Sequence, residues 1–446
     1  IDVEIFQWFQ LQLWLWFVLW LRMWWRMRWR LWWLGMSATK KTRLGIGYRP
    51  ELAYFIERHR DIGLVEVLAQ DFHTADCIPD FLIRMAHERD VEFVVHSTML
   101  DCAGATPLNI DHLDHVIAVA RRLNAVRVSD HLAFVRSGEL ESGHLIPPRR
   151  SGATLQVVLD NIAIIQRKLP VPFVLENIAT TFDWPDHEMS EAHFLSAILH
   201  KADCELLLDV SNLFANACNV GVDADAFIES LPLDRLFYVH VAGGIFKSGL
   251  YHDTHRHEVQ SQSLDMLAAL ARRVTVERVM LERDGDFGDP AALDAELAAI
   301  SDTLARVVCT GRNGGTDATA PEHIDVHLDP DSARQIVRAE QDALLHGLLS
   351  GGASLRVPEL QGFDLARLDG AYQSLRRKRA RAIKRACPWL SDSFANENEL
   401  DRALAGYFDS AVSAAASPLA DGHAFMHFSR VSLQKSHAKP QRTLAP

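Results

Sequence analysis

From Arg43 onward the chain alternates two patterns. Short apolar runs bounded by turn residues occur at Leu44–Tyr48, Leu64–Leu68, Val91–His96, Val126–His131, Phe173–Asn177, Glu205–Val210, Leu236–Val241 and Arg278–Glu282. Runs of this kind, without polar alternation, are typical of strands buried on both faces. Between them lie segments with apolar residues at helical spacing, among them Ile78–Arg89, Ile110–Arg122, Leu155–Gln166, Ala192–Lys201, Leu264–Arg273 and Ala291–Val308. Strand and helix in alternation predict βα units and a parallel sheet. Eight such units within residues 36–309 predict an α/β fold, a (β/α)8 TIM barrel. A doubly wound open sheet would carry a Gly-rich phosphate turn after its first strand, and Gly45-Ile-Gly47-Tyr-Arg-Pro lacks the third glycine.

The flanks differ from the barrel. Residues 1–35 hold nine of the eleven tryptophans and an apolar run, Phe6 to Leu21, followed by Arg22, Arg26, Arg28 and Arg30. The run is shorter than the ~20 residues of a spanning helix. The segment is expected to be a reading-frame artefact, with Met36 as the ordinary start, or else an anchor with positive flanks. Residues 310–329 read as a linker rich in Gly, Thr, Asn and Asp. Beyond it, residues 330–416 predict an all-α accessory domain with helices at Asp331–Leu349, Leu365–Ala386 and Glu397–Ser413, and residues 417–446 a flexible tail. The second of these helices carries a basic run, Arg376 to Arg385. It reads either as a solvated face or as a dock for an acidic peptide or partner.

The strand ends carry the chemistry. The third strand ends in His96, the fourth in Asp130-His131, the fifth in Glu176-Asn177, the sixth in Asp209 with Asn212 beyond, the seventh in His240 and the eighth in Glu282. Asp253 and His255 follow in the loop after the seventh. In a parallel barrel all strand C-termini face one mouth, so these residues converge. Any one alone could be a loop cap or a satisfied core group, but six consecutive strands ending this way point to a site. Imidazole and carboxylate without thiolate suit Fe(II), Mn(II) or Zn(II) rather than an iron–sulfur cluster. So many acidic groups call for two or three bound cations. His73, His144, His252 and His257 fit the pattern less well and are at most supporting groups.

The net charge of −12 disfavours a nucleic-acid partner. The cysteines, Cys77, Cys102, Cys204, Cys218, Cys309 and Cys387, are scattered singly, as expected of buried small hydrophobes in a reducing cytoplasm.

The series His96, Val-Ser-Asp-His131-Leu-Ala, Leu-Glu-Asn177, Leu-Asp-Val-Ser-Asn212, Val-His240-Val-Ala-Gly, Asp-Thr-His255 and Leu-Glu-Arg-Asp284 resembles the multinuclear non-haem iron-dependent oxidative enzymes of methanobactin and thiaglutamate biosynthesis, over roughly Leu44 to Val308. The resemblance implies a xylose-isomerase-like barrel holding two or three iron ions of mixed Fe(II)/Fe(III) state. It implies O2 as cosubstrate, a cysteine-containing precursor peptide as substrate, and a partner protein that presents the peptide. By resemblance, His96, Asp130, His131, Glu176, Asp209, His240, Asp253, His255 and Glu282 match the metal positions, with Asn177 and Asn212 as polar neighbours. The second strand departs from the family's Glu-Asn pair: this chain has Gln70-Asp71-Phe-His73, with Asp71 in place of the Glu. The alternatives are a Zn- or Mn-dependent hydrolase or sugar isomerase on the same barrel, and a metal-binding scaffold whose working part is the helical region.

Overall fold

A computed structural model describes residues 42–247, 249–310, 328–410 and 421–429. The expectations for residues 1–35, for most of the linker and for the tail other than 421–429 lie outside them; 421–429 form a helix with Phe425 buried, where a flexible tail was expected. Among the described residues no helix is long and apolar enough to cross a membrane.

Eight parallel strands close into a barrel: β1 (Arg43–Gly47), β2 (Ile62–Leu68), β3 (Glu92–His96), β4 (Arg127–His131), β7 (Phe173–Glu176), β8 (Glu205–Asp209), β9 (Leu236–Ala242) and β12 (Arg278–Glu282). Two antiparallel hairpins interrupt the series, β5 (Phe134–Ser137) with β6 (Leu140–Ile146), and β10 (Ile245–Lys247) with β11 (Leu250–His252). The apolar-run reading found the barrel strands and missed both hairpins, which carry mixed polar sequence.

The helices in order are α1 (Ala53–Arg58), α2 (Asp80–Glu88), α3 (Ile110–Arg122), α4 (Gly152–Lys168), α5 (Glu191–Ala202), α6 (Val210–Val220), α7 (Ala224–Glu229), α8 (Ser261–Arg273), α9 (Pro290–Arg306), α10 (Pro330–Ser350), α11 (Leu365–Ala386) and α12 (Glu397–Ser410). Their starts are chemically marked. Asn109, Ser151, Ser190 and Asp289 each accept a backbone N–H of the first turn of α3, α4, α5 and α9. Asp329 and Asp364 do the same for α10 and α11.

Inside the barrel, side chains alternate between interior and exterior. Leu64, Val94, Val174, Leu207, Tyr238 and Met280 form one buried interior cluster. Two residues further along each strand, towards the C-terminal mouth, stand Glu66, His96, Glu176, Asp209, His240 and Glu282. The period of two therefore stacks a polar layer directly on an apolar one.

The C-terminal helices are packed on the barrel. Leu344 and Leu348 of α10 and Leu368, Tyr372 and Leu375 of α11 share a buried cluster with Phe134 and Ile146 of the β5–β6 hairpin and with Phe182 and Trp184 of the loop after β7. Gln341, 2 % exposed, hydrogen-bonds both Ala103 O (2.7 Å) and Ala105 N (2.9 Å). A separate cluster of Ile383, Leu390, Leu404, Tyr407, Phe408 and Phe425 joins the end of α11 to α12 and to helix 421–429. Truncation of Leu348 to Ala is expected to cost about 2–5 kcal/mol, because the cavity falls between α10 and the hairpin. Chemical denaturation measures it, and a cost near zero would contradict the packing.

Candidate metal centre

The polar layer lies at the C-terminal mouth of the barrel. Glu66, His96, Glu176, Asp209 and His240 are each 0–1 % exposed, and His131 and Glu282 are 8 % and 7 % exposed. Four groups of three place one donor atom per residue within 4.8 Å of one another: His96, His131 and Glu176; Glu66, His240 and Glu282; Glu176, Asp209 and His240; Asp209, His255 and Glu282. Glu176, Asp209, His240 and Glu282 each belong to two groups, so the four pockets form one continuous bowl of oxygen and nitrogen donors.

Individual contacts explain how each donor is aimed. Tyr238 Oη donates to Glu66 Oε2 at 2.6 Å and stands 2.8 Å from Ser129 Oγ, which in turn stands 2.8 Å from His96 Nδ1. With the Tyr238 proton on Glu66, the serine hydroxyl donates to Tyr238 and His96 Nδ1–H donates to the serine. That leaves His96 Nε2 as a lone pair, 3.5 Å from Glu176 Oε2. His131 Nε2 approaches the same oxygen at 3.1 Å. His240 Nε2–H donates to Glu66 Oε2 at 3.0 Å. Its Nδ1 faces Glu282 Oε2 at 3.1 Å and Glu176 Oε1 at 3.4 Å. Asp209 Oδ1 caps α6, accepting Ser211 N (2.6 Å) and Asn212 N (2.9 Å). Asn177 pins the same strand end, accepting Asp209 N at 2.9 Å and donating to Asp209 O at 3.1 Å. Asn212 donates to Asn177 O at 3.0 Å. Both asparagines thus orient backbone beside the bowl.

The loop after β9 supplies the rim. Asp253 hydrogen-bonds His255, whose Nδ1 stands 3.2 Å from Glu282 Oε1 and 3.5 Å from Asp284 Oδ2. His255 sits at φ 53°, an uncommon backbone conformation outside glycine that clusters at functional sites. Any side chain at Gly243 would collide with the backbone of His257 and Glu258, so the loop folds back only because that position is glycine.

Three residues singled out from the sequence stand apart. Asp71 ends the 3-10 turn Ala69–Asp71, whose Ala69 is buried, and lies outside the four groups; burial raises its pKa, with Arg49 opposing and Asp284 adding. The carboxylate of the second strand is Glu66, mid-strand and buried, which the sequence reading took as part of an apolar run. Its signal was a lone charge inside Leu64-Val-Glu66-Val-Leu68. Asp130 also falls outside the groups: its oxygens accept Leu100 N (2.7 Å) and His131 N (2.5 Å). Asp253 is outside them as well, although it holds His255. Of the loop histidines, His257 pairs with Thr254 at 2.7 Å and His144 meets Lys378 at 2.8 Å.

The electrostatics follow from burial. Desolvation pushes the Asp209 carboxyl well above its usual range, with Asp253 and Glu176 adding to it. Glu282 goes the other way: burial opposes ionisation, but His255 and His240 hold it well below the usual carboxylate range. Burial pulls His131 down, yet Glu176 and Asp130 outweigh it and raise it from 6.5 to about 9. Imidazolium protons therefore balance the carboxylates wherever no metal does.

The family profile described as RiPP precursor modification enzyme MbnB/TglH/ChrH matches residues 43–305, and a second profile, SCO6045-like, C-terminal domain, matches residues 338–430. A UPF0276 protein of Streptomyces avermitilis is 34% identical over 400 residues, covering 79% of this chain and 81% of that protein. A UPF0276 protein of Caulobacter vibrioides is 30% identical over 276 residues, covering 61% and 97%. The chain belongs to the MbnB/TglH/ChrH family of enzymes that modify ribosomally synthesised precursor peptides. Among solved structures, D-psicose 3-epimerase from Clostridium cellulolyticum H10 covers 60% of this chain and 100% of its own at 12% identity and a TM-score of 0.40. L-ribulose 3-epimerase covers 68% and 97% at 14% identity and a TM-score of 0.37. Likeness at this level carries no inference about chemistry.

Two outcomes follow from the geometry. Tyr238→Phe removes the donor to Glu66 and is expected to lower metal affinity roughly 10- to 100-fold with the barrel intact. Unchanged affinity in a metal titration would show that this chain of hydrogen bonds is idle. A histidine raised from 6.5 to about 9, as His131 is, contributes stability that is full below 6.5 and lost as pH rises through about 9. The melting temperature of chelator-treated protein should therefore fall across that window, while metal-loaded protein changes less. A flat profile without metal would contradict the charge balance.

Proposed function

We propose that this enzyme uses two or three iron ions and O2 to oxidise cysteine residues of a ribosomally made precursor peptide. The observation that carries the reading is the set of four overlapping His/carboxylate groups sharing Glu176, Asp209, His240 and Glu282. The donors fit such ions. Among the described residues, Asp209 Oδ2 and Asp253 Oδ1 are buried with no hydrogen-bond partner, a costly state that cations relieve. Oxygen and imidazole nitrogen suit Fe(II).

Iron, when bound, supplies the one-electron chemistry by which the cysteine residue loses electrons and O2 is reduced. The residues of the chain do the rest. His96, His131 and Glu176 would hold one ion, Glu66, His240 and Glu282 another, and Asp209 with His255 a third at the rim. No cysteine of the chain stands among these donors, so a peptide thiol meets no competing sulfur there. The Asp253–His255 pair is half-buried at the rim and can hold a proton next to an incoming group. Arg49, bonded to Asp284 and 3.7 Å from Glu282 Oε1, fixes the outer edge.

The test is a reaction of iron-loaded protein, prepared without oxygen, with cysteine-containing candidate precursor peptides. Admission of O2 should consume oxygen and shift the mass of the peptide at a cysteine. His240→Ala should lose iron and turnover together. Full activity with zinc alone, or turnover without oxygen, would rule the reading out.

A further inference from the structure

The basic run of α11 is divided by the fold into two faces. Arg376 is engaged with Asp409 (2.8 Å) and Tyr372 Oη (2.9 Å), Arg379 with Asp421, and Lys384 with Glu397 (3.0 Å) and Asp401 (2.6 Å). These hold α11 to the helices behind it. Arg377, Lys378, Arg381 and Arg385 are exposed, and among the described residues none has an acidic partner within ion-pair distance. Residues 377, 381 and 385 follow one another at i+4, and 378 precedes 381 at i+3, so the four form one stripe along the helix.

One end of the stripe meets the β5–β6 hairpin. Lys378 Nζ stands 2.8 Å from His144 Nδ1 and 3.3 Å from Nε2, and His144 lies on the β5–β6 hairpin, which leaves the barrel just after His131. Asp253 and Asp284, in the loops after β9 and β12, act electrostatically on Lys378. The apolar cluster between α11 and the hairpin fixes this placement.

We propose that Arg377, Lys378, Arg381 and Arg385 form the dock for an acidic stretch of the precursor peptide, with Lys378 holding a carboxylate at the rim so that adjoining residues enter the bowl. The inference rests on the peptide-substrate reading above. Charge complementarity selects the occupant. The chain carries a net charge of −12, so an acidic peptide is repelled by most of its surface and steered to this stripe.

The test is fluorescence anisotropy of full-length, metal-loaded protein with a labelled synthetic peptide of alternating glutamate and glycine ending in cysteine. Wild-type protein should bind it, with affinity that falls as salt rises. Lys378→Glu/Arg381→Glu should weaken binding about tenfold or more, a change of about 1.4 kcal/mol. Metal content and melting temperature should stay at wild-type values. Arg167→Glu/Lys201→Glu, the same charge change at the opposite end of the barrel, should bind as wild type does. Equal binding by the stripe variant, equal loss in the control, or equal capture of a lysine–glycine peptide or of single-stranded DNA would overturn the proposal. The readout needs neither iron nor O2, so zinc-loaded protein gives the same answer. A failure of the oxidative reading therefore leaves this result standing, and a failed dock leaves the metal count untouched.

Discussion

Burial of negative charge governs this structure. Glu66, Glu176, Asp209 and Glu282 share one layer inside the barrel mouth, each at most 7 % exposed. An unpaired carboxylate taken out of water costs several kcal/mol, and four together also repel one another. The imidazoles of His131, His240 and His255 interleave with them and supply the balance as protons, while burial keeps His96 neutral. Asp209 Oδ2, buried with no hydrogen-bond partner among the described residues, is a place where protons and hydrogen bonds do not suffice. A layer built this way is stable only when positive charge is brought to it, and divalent or trivalent ions are the compact way to do so.

The barrel makes such a layer affordable. Each polar residue stands two positions beyond an apolar one on the same strand, and the cluster of Leu64, Val94, Val174, Leu207, Tyr238 and Met280 closes the barrel beneath. That apolar floor keeps water out from below. Tyr238 belongs to both layers, since its ring packs in the floor while its hydroxyl is bonded to Glu66. The hydrogen-bonded series His96–Ser129–Tyr238–Glu66–His240 then crosses the barrel and joins two of the candidate pockets. The β5–β6 hairpin, which follows β4 and its His131, packs against α10 and α11.

Much of this was legible in the sequence. The eight barrel strands and most of the donors showed because parallel strands are apolar throughout and their C-terminal ends change character abruptly, as at Val-Val-His96 or Leu-Leu-Asp209. Glu66 escaped because it sits mid-strand, two residues short of the end of β2, and nothing in one strand states how far it is staggered against its neighbours. Asp71 looked equivalent by position along the chain, but the chain has already left the barrel there. Asp130 and His131 are adjacent and so point to opposite sides, which is why only His131 faces into the bowl. The hairpins were hidden by mixed polarity, and Lys378 was one of several similar cations in a row. Which of them would meet His144 depends on how α11 packs, a long-range outcome that no local pattern carries.

The central claim is that Glu66, not Asp71, completes a multinuclear iron centre at the barrel mouth. Metal analysis with Mössbauer spectroscopy on protein purified without oxygen from iron-supplemented cells tests it most directly, comparing wild type with Glu66→Gln and Asp71→Asn. The account predicts two or three irons per chain with a mixed Fe(II)/Fe(III) signal, a lower count in Glu66→Gln, and a wild-type count in Asp71→Asn. Stoichiometric zinc or manganese with little iron, or a full iron count in Glu66→Gln, would contradict it.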